Sequence, residues 1–140
     1  MSGIFPSKTL SVAINRKPAE VCEYVWDGNN LPEWLISFCQ SVQQAGDAWI
    51  LETTEGRMTF RFVEKNPFGV LDHEVTLPSG SRIMNPMRVV PNGSGCEVLF
   101  TLLQLPEMSD ERFAVDAGMV ERDLLSLKVR MERAEANSEG

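Results

Sequence analysis

The feature that most constrains this chain is an apolar stripe near its C-terminal end. Phe113, Ala117, Val120, Leu124, Leu127 and Met131 recur at steps of four and three, the spacing of one face of a helix. Ser109 supplies an N-cap, and Asp110 and Glu111 suit the positive end of the helix dipole. Lys128, Arg130 and Arg133 sit toward the far end, where cations are favoured. A helix is therefore expected over 109 to about 134, with the residues from Ala136 onward fraying. A helix with one such stripe must bury it against something. The segments before it supply the partner.

Those segments change period from 3.6 to two. Leu10, Val12 and Ile14 alternate with polar neighbours in a first strand over 9–15. Lys17-Pro18 then opens a helix carrying Val21, Cys22, Val25 and Trp26, since proline is tolerated at the first helical position. A second short helix is expected over 31–36, with Asn30 and Glu33 at capping-box spacing. Beyond Ser37, Trp49, Leu51 and Thr53 share one face of a strand. Met58, Phe60 and Phe62 share a face of the next, and Leu71, His73, Val75 and Leu77 of another. A strand over 81–90 follows the Pro78-Ser79-Gly80 turn, and Asn92-Gly93 marks a hairpin into the final strand over 97–103. The order gives an α+β fold of about seven antiparallel strands, with two short helices after the first strand and a long helix at the end. A strongly curved sheet cannot lie flush on one straight helix along its whole width. The gap, lined by alternate strand residues, is where a cavity is expected.

The chain of 140 residues is read as one domain over 1–140, with an ordered core about 9–134. Acidic residues outnumber basic ones by 20 to 13, a net charge of −7. That balance argues against a nucleic-acid surface, which needs lysine and arginine to neutralise phosphates. Cys22, Cys39 and Cys96 are odd in number and far apart, so neither a disulfide framework nor a zinc knuckle is indicated. No apolar run approaches the ~20 residues that span a bilayer, and the N-terminal residues lack a signal-peptide pattern. The expectation is a cytoplasmic protein, monomer or homodimer, with no membrane insertion, no nucleic-acid partner, no metal and no cofactor.

Several strings resemble the START-like helix-grip superfamily, also called SRPBCC or the polyketide cyclase/dehydrase and lipid-transport group. Residues 12–21, Val25-Trp26 and Pro32-Glu33-Trp34 are similar to its opening strand and paired helices. Residues 71–76, 85–89, 97–102 and 108–113 are similar to later segments of a bacterial branch, so the likeness covers about Thr9 to Glu132. It implies a mainly apolar pocket between a wrapped sheet and the C-terminal helix. It carries no universal catalytic motif, because the group hosts lipid carriers, receptors, cyclases and co-chaperone-like domains on one scaffold.

His73 is the one histidine and stands on the apolar face of its strand. A side chain titrating near neutrality could act there as a general acid or base, the need of a cyclase that enolises a carbonyl. The competing reading, favoured by residue type, is a structural histidine hydrogen-bonded to a neighbouring element. Asp72 and Glu74 point to the other face, so no dyad is visible. Asn85 could orient a ligand or, the preferred reading, satisfy backbone groups left unpaired beside Pro86. Among the aromatic and methionine side chains, the family architecture implies ligand contact for Trp34, Phe60, Phe62, Met87 and Met119. Cys96 beside a hairpin has nothing nearby to lower its pKa. The expected function is binding of a small hydrophobic or aromatic, lipid- or polyketide-like molecule in the cavity. The alternatives are a polyketide cyclase or dehydratase using His73, and a protein-interaction module.

Overall fold

A computed structural model describes the backbone of residues 3–139 and the side chains of residues 3–133. Among the described residues, eight strands form two antiparallel sheets. Strand β1 (Ser7–Ile14) pairs with β8 (Gly95–Leu103), which pairs with β7 (Met87–Asn92). The second sheet runs β2 (Cys39–Ala45), β3 (Ala48–Thr53), β4 (Gly56–Phe62), β5 (His73–Thr76) and β6 (Arg82–Asn85) as a meander. Helix α1 (Pro18–Trp26), a 3-10 turn (Gly28–Asn30) and α2 (Leu31–Trp34) follow β1, and α3 (Asp110–Glu139) closes the chain. The sheets wrap α3, whose inner face packs on β1, β8 and α2.

The strand expected over 81–90 is two strands, one in each sheet. Proline has no N–H to give the ladder, so pairing with β5 stops at Asn85 and pairing with β8 begins at Met87. The seam is held by other means. Leu71 N donates to Met87 O and Val89 N to Gly69 O, both at 2.8 Å, and Asp72 Oδ1 accepts from Met87 N at 2.9 Å. Gly69 has φ of 75°, and a Cβ there would collide with the Val89 carbonyl, so the close approach requires glycine.

The stripe of α3 faces inward. Ala117, Leu124, Leu127 and Met131 are buried, with Phe113 and Val120 half-buried. Ser109 caps the helix, its Oγ accepting from Arg112 N at 3.0 Å. The helix continues past the expected stop near Ala134, so Lys128 does not sit in a last turn. It reaches across to Ala13 O at 2.7 Å and Glu132 at 2.8 Å instead. The side chains of Ala136 to Glu139, and Gly140 altogether, where fraying is expected, lie outside the described residues.

Helix α2 is a single turn, and the capping box between Asn30 and Glu33 does not form. The preceding 3-10 turn already puts Asn30 in a helical conformation (φ −85°, ψ −9°), so its side chain turns back to Tyr24 O at 2.9 Å. Glu33 accepts the Tyr24 hydroxyl at 2.7 Å. Both bonds fasten α2 to the end of α1.

Candidate functional site

Between the meander sheet and α3 lies a cavity of about 150 Å³. Met58 and Phe60 of β4, His73 and Val75 of β5, and Ile83 and Asn85 of β6 form one wall. Phe100 and Leu102 of β8 continue it, and Trp34, Leu35 and Phe38 contribute from α2 and the following turn. Asp116, Met119, Val120, Asp123 and Leu124 of α3 form the opposite side. Alternation delivers the strand residues, since Met58 and Phe60, or His73 and Val75, are two apart. Helical phase delivers the others: 116, 120, 123 and 124 share a face.

His73 is 3% exposed, and its ring stacks on Phe60 with centroids 5.3 Å apart and planes 14° from parallel. Phe62 and Phe100 pack on it at 5.3 and 5.7 Å. Its Nδ1 lies 3.0 Å from Leu71 O, a contact that requires the proton on Nδ1. Nε2 is left as an acceptor with no partner among the described residues. Burial pushes the imidazole pKa below its usual value, against the raising effects of the Leu71 carbonyl and Asp72, so the ring is neutral at pH 7. One nitrogen thus bonds the chain two residues back rather than the neighbouring element that the structural reading expects, while the other is unused.

Asn85 is the cross-strand partner of His73, so the two side chains stand side by side on the cavity wall. Its amide makes no hydrogen bond among the described residues. The preferred reading, an amide satisfying backbone groups around Pro86, does not hold: Asp72 serves Met87 N, and Thr101 N serves Pro86 O at 3.0 Å.

Trp34, Phe60, His73, Asn85 and Met119 come together around the cavity. Phe62 and Met87 do not line it. Phe62 supports His73 from the flank, and Met87 is fully buried beyond the Pro86 seam, in the other sheet.

Three carboxylates at the cavity were not anticipated. Asp123 is 3% exposed, and its Oδ1 accepts from Ser37 N at 2.9 Å. Burial outweighs that bond and raises its pKa to about 6. Asp116 is also pushed up by burial, although Arg112 pairs with it at 2.9 Å. Arg112 also holds Glu55, from the turn between β3 and β4, at 2.8 Å, tying that turn to α3. The signal for Asp123 was available, because it falls in phase with Val120 and Leu127 inside the apolar stripe. Nothing local marks Glu55.

The other chemical groups offer less. All three cysteines are buried free thiols; burial raises the pKa of Cys22 and Cys39 to about 11 and also raises that of Cys96. Among the described residues no group of three or more metal-binding side chains gathers, and no helix is long and apolar enough to cross a membrane. A larger groove, about 780 Å³, lies between α1 and the 65–69 loop. It is an open surface feature flanked by the exposed Lys65 and Phe68.

A sheet wrapped on a terminal helix over a largely apolar cavity accords with the sequence model of polyketide cyclase / dehydrase and lipid transport proteins, which matches residues 7–132. The chain belongs to that family. No curated protein matches the sequence. Among solved structures, XoxI from Bacillus cereus superposes with a TM-score of 0.72 at 19% identity, over 92% of this chain and 97% of that one. The Aha1 dimer from Colwellia psychrerythraea gives 0.70 at 16% identity, over 91% and 96%. DynU16, a protein of the dynemicin biosynthetic locus, gives 0.68 at 14%, over 90% of this chain and 47% of that one. At these identities the likeness is one of fold.

Proposed function

We propose that this member of the polyketide cyclase / dehydrase and lipid transport family binds a small, mainly apolar, aromatic molecule in the cavity between the meander sheet and α3. The observation that carries the reading is a space of about 150 Å³ walled by Trp34, Phe38, Phe60 and Phe100, with a neutral buried histidine among them. Apolar cavities of that volume are on the scale of about one aromatic ring. A larger ligand would have to displace side chains or the turn that Arg112 holds.

Native mass spectrometry of gently purified protein, followed by an NMR screen of single-ring aromatics, tests the reading. Val120→Phe, which fills the cavity from the α3 side, should weaken any hit at least tenfold while the fold persists by circular dichroism. Hits unaffected by that substitution would place binding elsewhere.

The second reading is a cyclase- or dehydratase-type enzyme in which His73 moves a proton. It is favoured by one observation: Nδ1 is fixed on Leu71 O, leaving Nε2 basic and unpartnered beside Asn85. Turnover of a candidate polyketide should then fall by about 10²–10⁴ in His73→Ala. Unchanged turnover would remove His73 from the chemistry.

A further inference from the structure

Resting on the cavity reading above, we propose that the ligand is a single-ring phenol whose hydroxyl donates to His73 Nε2 and accepts from the Asn85 amide. The two side chains are cross-strand neighbours on one wall, and both have hydrogen-bonding capacity that no described residue uses. With Nδ1 committed to Leu71 O, Nε2 can only accept. The Asn85 amide can turn its NH2 toward the same point. An acceptor beside a donor is the complement of one hydroxyl, which both donates and accepts.

Other headgroups fit less well. A hydrocarbon leaves both side chains unpaired in a buried wall, which costs binding free energy. A carbonyl can take the Asn85 donor but leaves Nε2 without a proton to accept. A carboxylate would enter a cavity already lined by Glu55, Asp116 and Asp123, with only Arg112 paired among them. An ammonium would have to shed its hydration to lie among Phe38, Phe60 and Phe100. Asp123 is an indifferent counter-ion for it, since one oxygen is engaged by Ser37 and burial favours the acid form. Ring size agrees with the volume of about 150 Å³. The stack of His73 on Phe60 fixes the imidazole plane, so Nε2 is held in one direction rather than searching for its partner.

Phenol and toluene differ by a hydroxyl for a methyl and occupy nearly the same volume, so their ratio isolates the proposed bonds. NMR titrations of the full chain should show phenol binding about tenfold tighter than toluene, the scale of one buried hydrogen bond. Phenol, and not toluene, should shift the His73 Nε2 resonance. His73→Leu should bring the ratio to one or below, and Asn85→Val should lower phenol affinity several-fold while leaving toluene unchanged. Equal binding of the two by the unsubstituted protein would overturn the hydroxyl assignment and leave the cavity reading standing. Preference for benzoate or benzylammonium over phenol would overturn it as well, as would a preference for phenol that survives both substitutions. If neither phenol nor toluene binds at millimolar concentration, the proposal and the cavity reading fall together.

Discussion

Asp123 and His73 are both buried, and burial raises the pKa of the first and lowers that of the second, so they push stability in opposite directions with pH. The folded pKa of Asp123, about 6, lies above its ordinary 3.8, so the native state holds more protons than the unfolded chain between those values. Stability on this account falls as pH rises from about 4 to about 6, and the cost is complete above that window. His73 has its pKa lowered from 6.5, so its contribution is complete above about 6.5 and is lost as pH falls below it. Asp123→Asn keeps an oxygen for Ser37 N and removes the buried charge. That variant should be more stable than the parent at pH 7, by on the order of 1–2 kcal/mol. The advantage should vanish near pH 4, where both side chains are neutral. Because His73 is common to both proteins, it cancels in the difference. Urea unfolding at pH 4, 5.5 and 7 measures the effect; a variant equally stable or weaker at pH 7 would mean the carboxylate is better solvated than its position indicates. Local alternation placed His73 on the inner face correctly, but not the partners that decide its protonation. The largest of those effects, burial, comes from Phe60 and Phe62 of β4 and Phe100 of β8, and Leu71 O and Asp72 act against it.

At the scale of elements, α3 was the most legible part of the molecule and the short helices the least. Phase along a long helix averages over many residues, so one stripe identifies the buried face even where Asp116 and Asp123 interrupt it. A one-turn helix has no such averaging. The Asn30–Glu33 spacing therefore mimicked a cap that a preceding 3-10 turn makes geometrically unavailable. The cap of α3 is of the other kind: Ser109 Oγ takes Arg112 N, and the Arg112 side chain then reaches both Asp116 and Glu55. Ser109→Ala should cost about 1 kcal/mol of global stability, the usual worth of such a cap. It should also loosen the contact between the first turn of α3 and the β3–β4 turn. Hydrogen exchange at Arg112 and Phe113 should accelerate more than at Leu127. A uniform acceleration along the helix would show that the cap acts on the whole element and not on the edge of the cavity.

For the whole molecule, the decisive join is the one between the two sheets at Pro86. The expected single strand over 81–90 had the correct alternation throughout, since Ile83, Asn85, Met87 and Val89 keep one parity, the first two lining the cavity and the last two buried. What alternation cannot report is pairing partner, and the partner changes where proline withdraws its N–H. Asp72 compensates on the outer side. Its carboxylate takes Met87 N at 2.9 Å and Arg88 Nε and Nη2 at 3.0 and 2.9 Å. The Arg88 bond is the largest of the effects that hold its pKa below the usual carboxylate value. Its contribution is thus present above the ordinary pKa of 3.8 and lost as pH falls through the lower folded value. Asp72→Ala leaves Met87 N without its acceptor beside the wall that carries His73 and Asn85. The variant should lose about 1–3 kcal/mol, as expected for hydrogen bonds to a charged group. The loss should be local in its signature. Amides of Leu71, Met87 and Val89 should exchange faster, while those pairing β1 with β8 hold, because that ladder does not depend on the seam. Equal acceleration in both sheets would show that the two unfold as one unit, and that Pro86 marks a change of partner without a change in cooperativity.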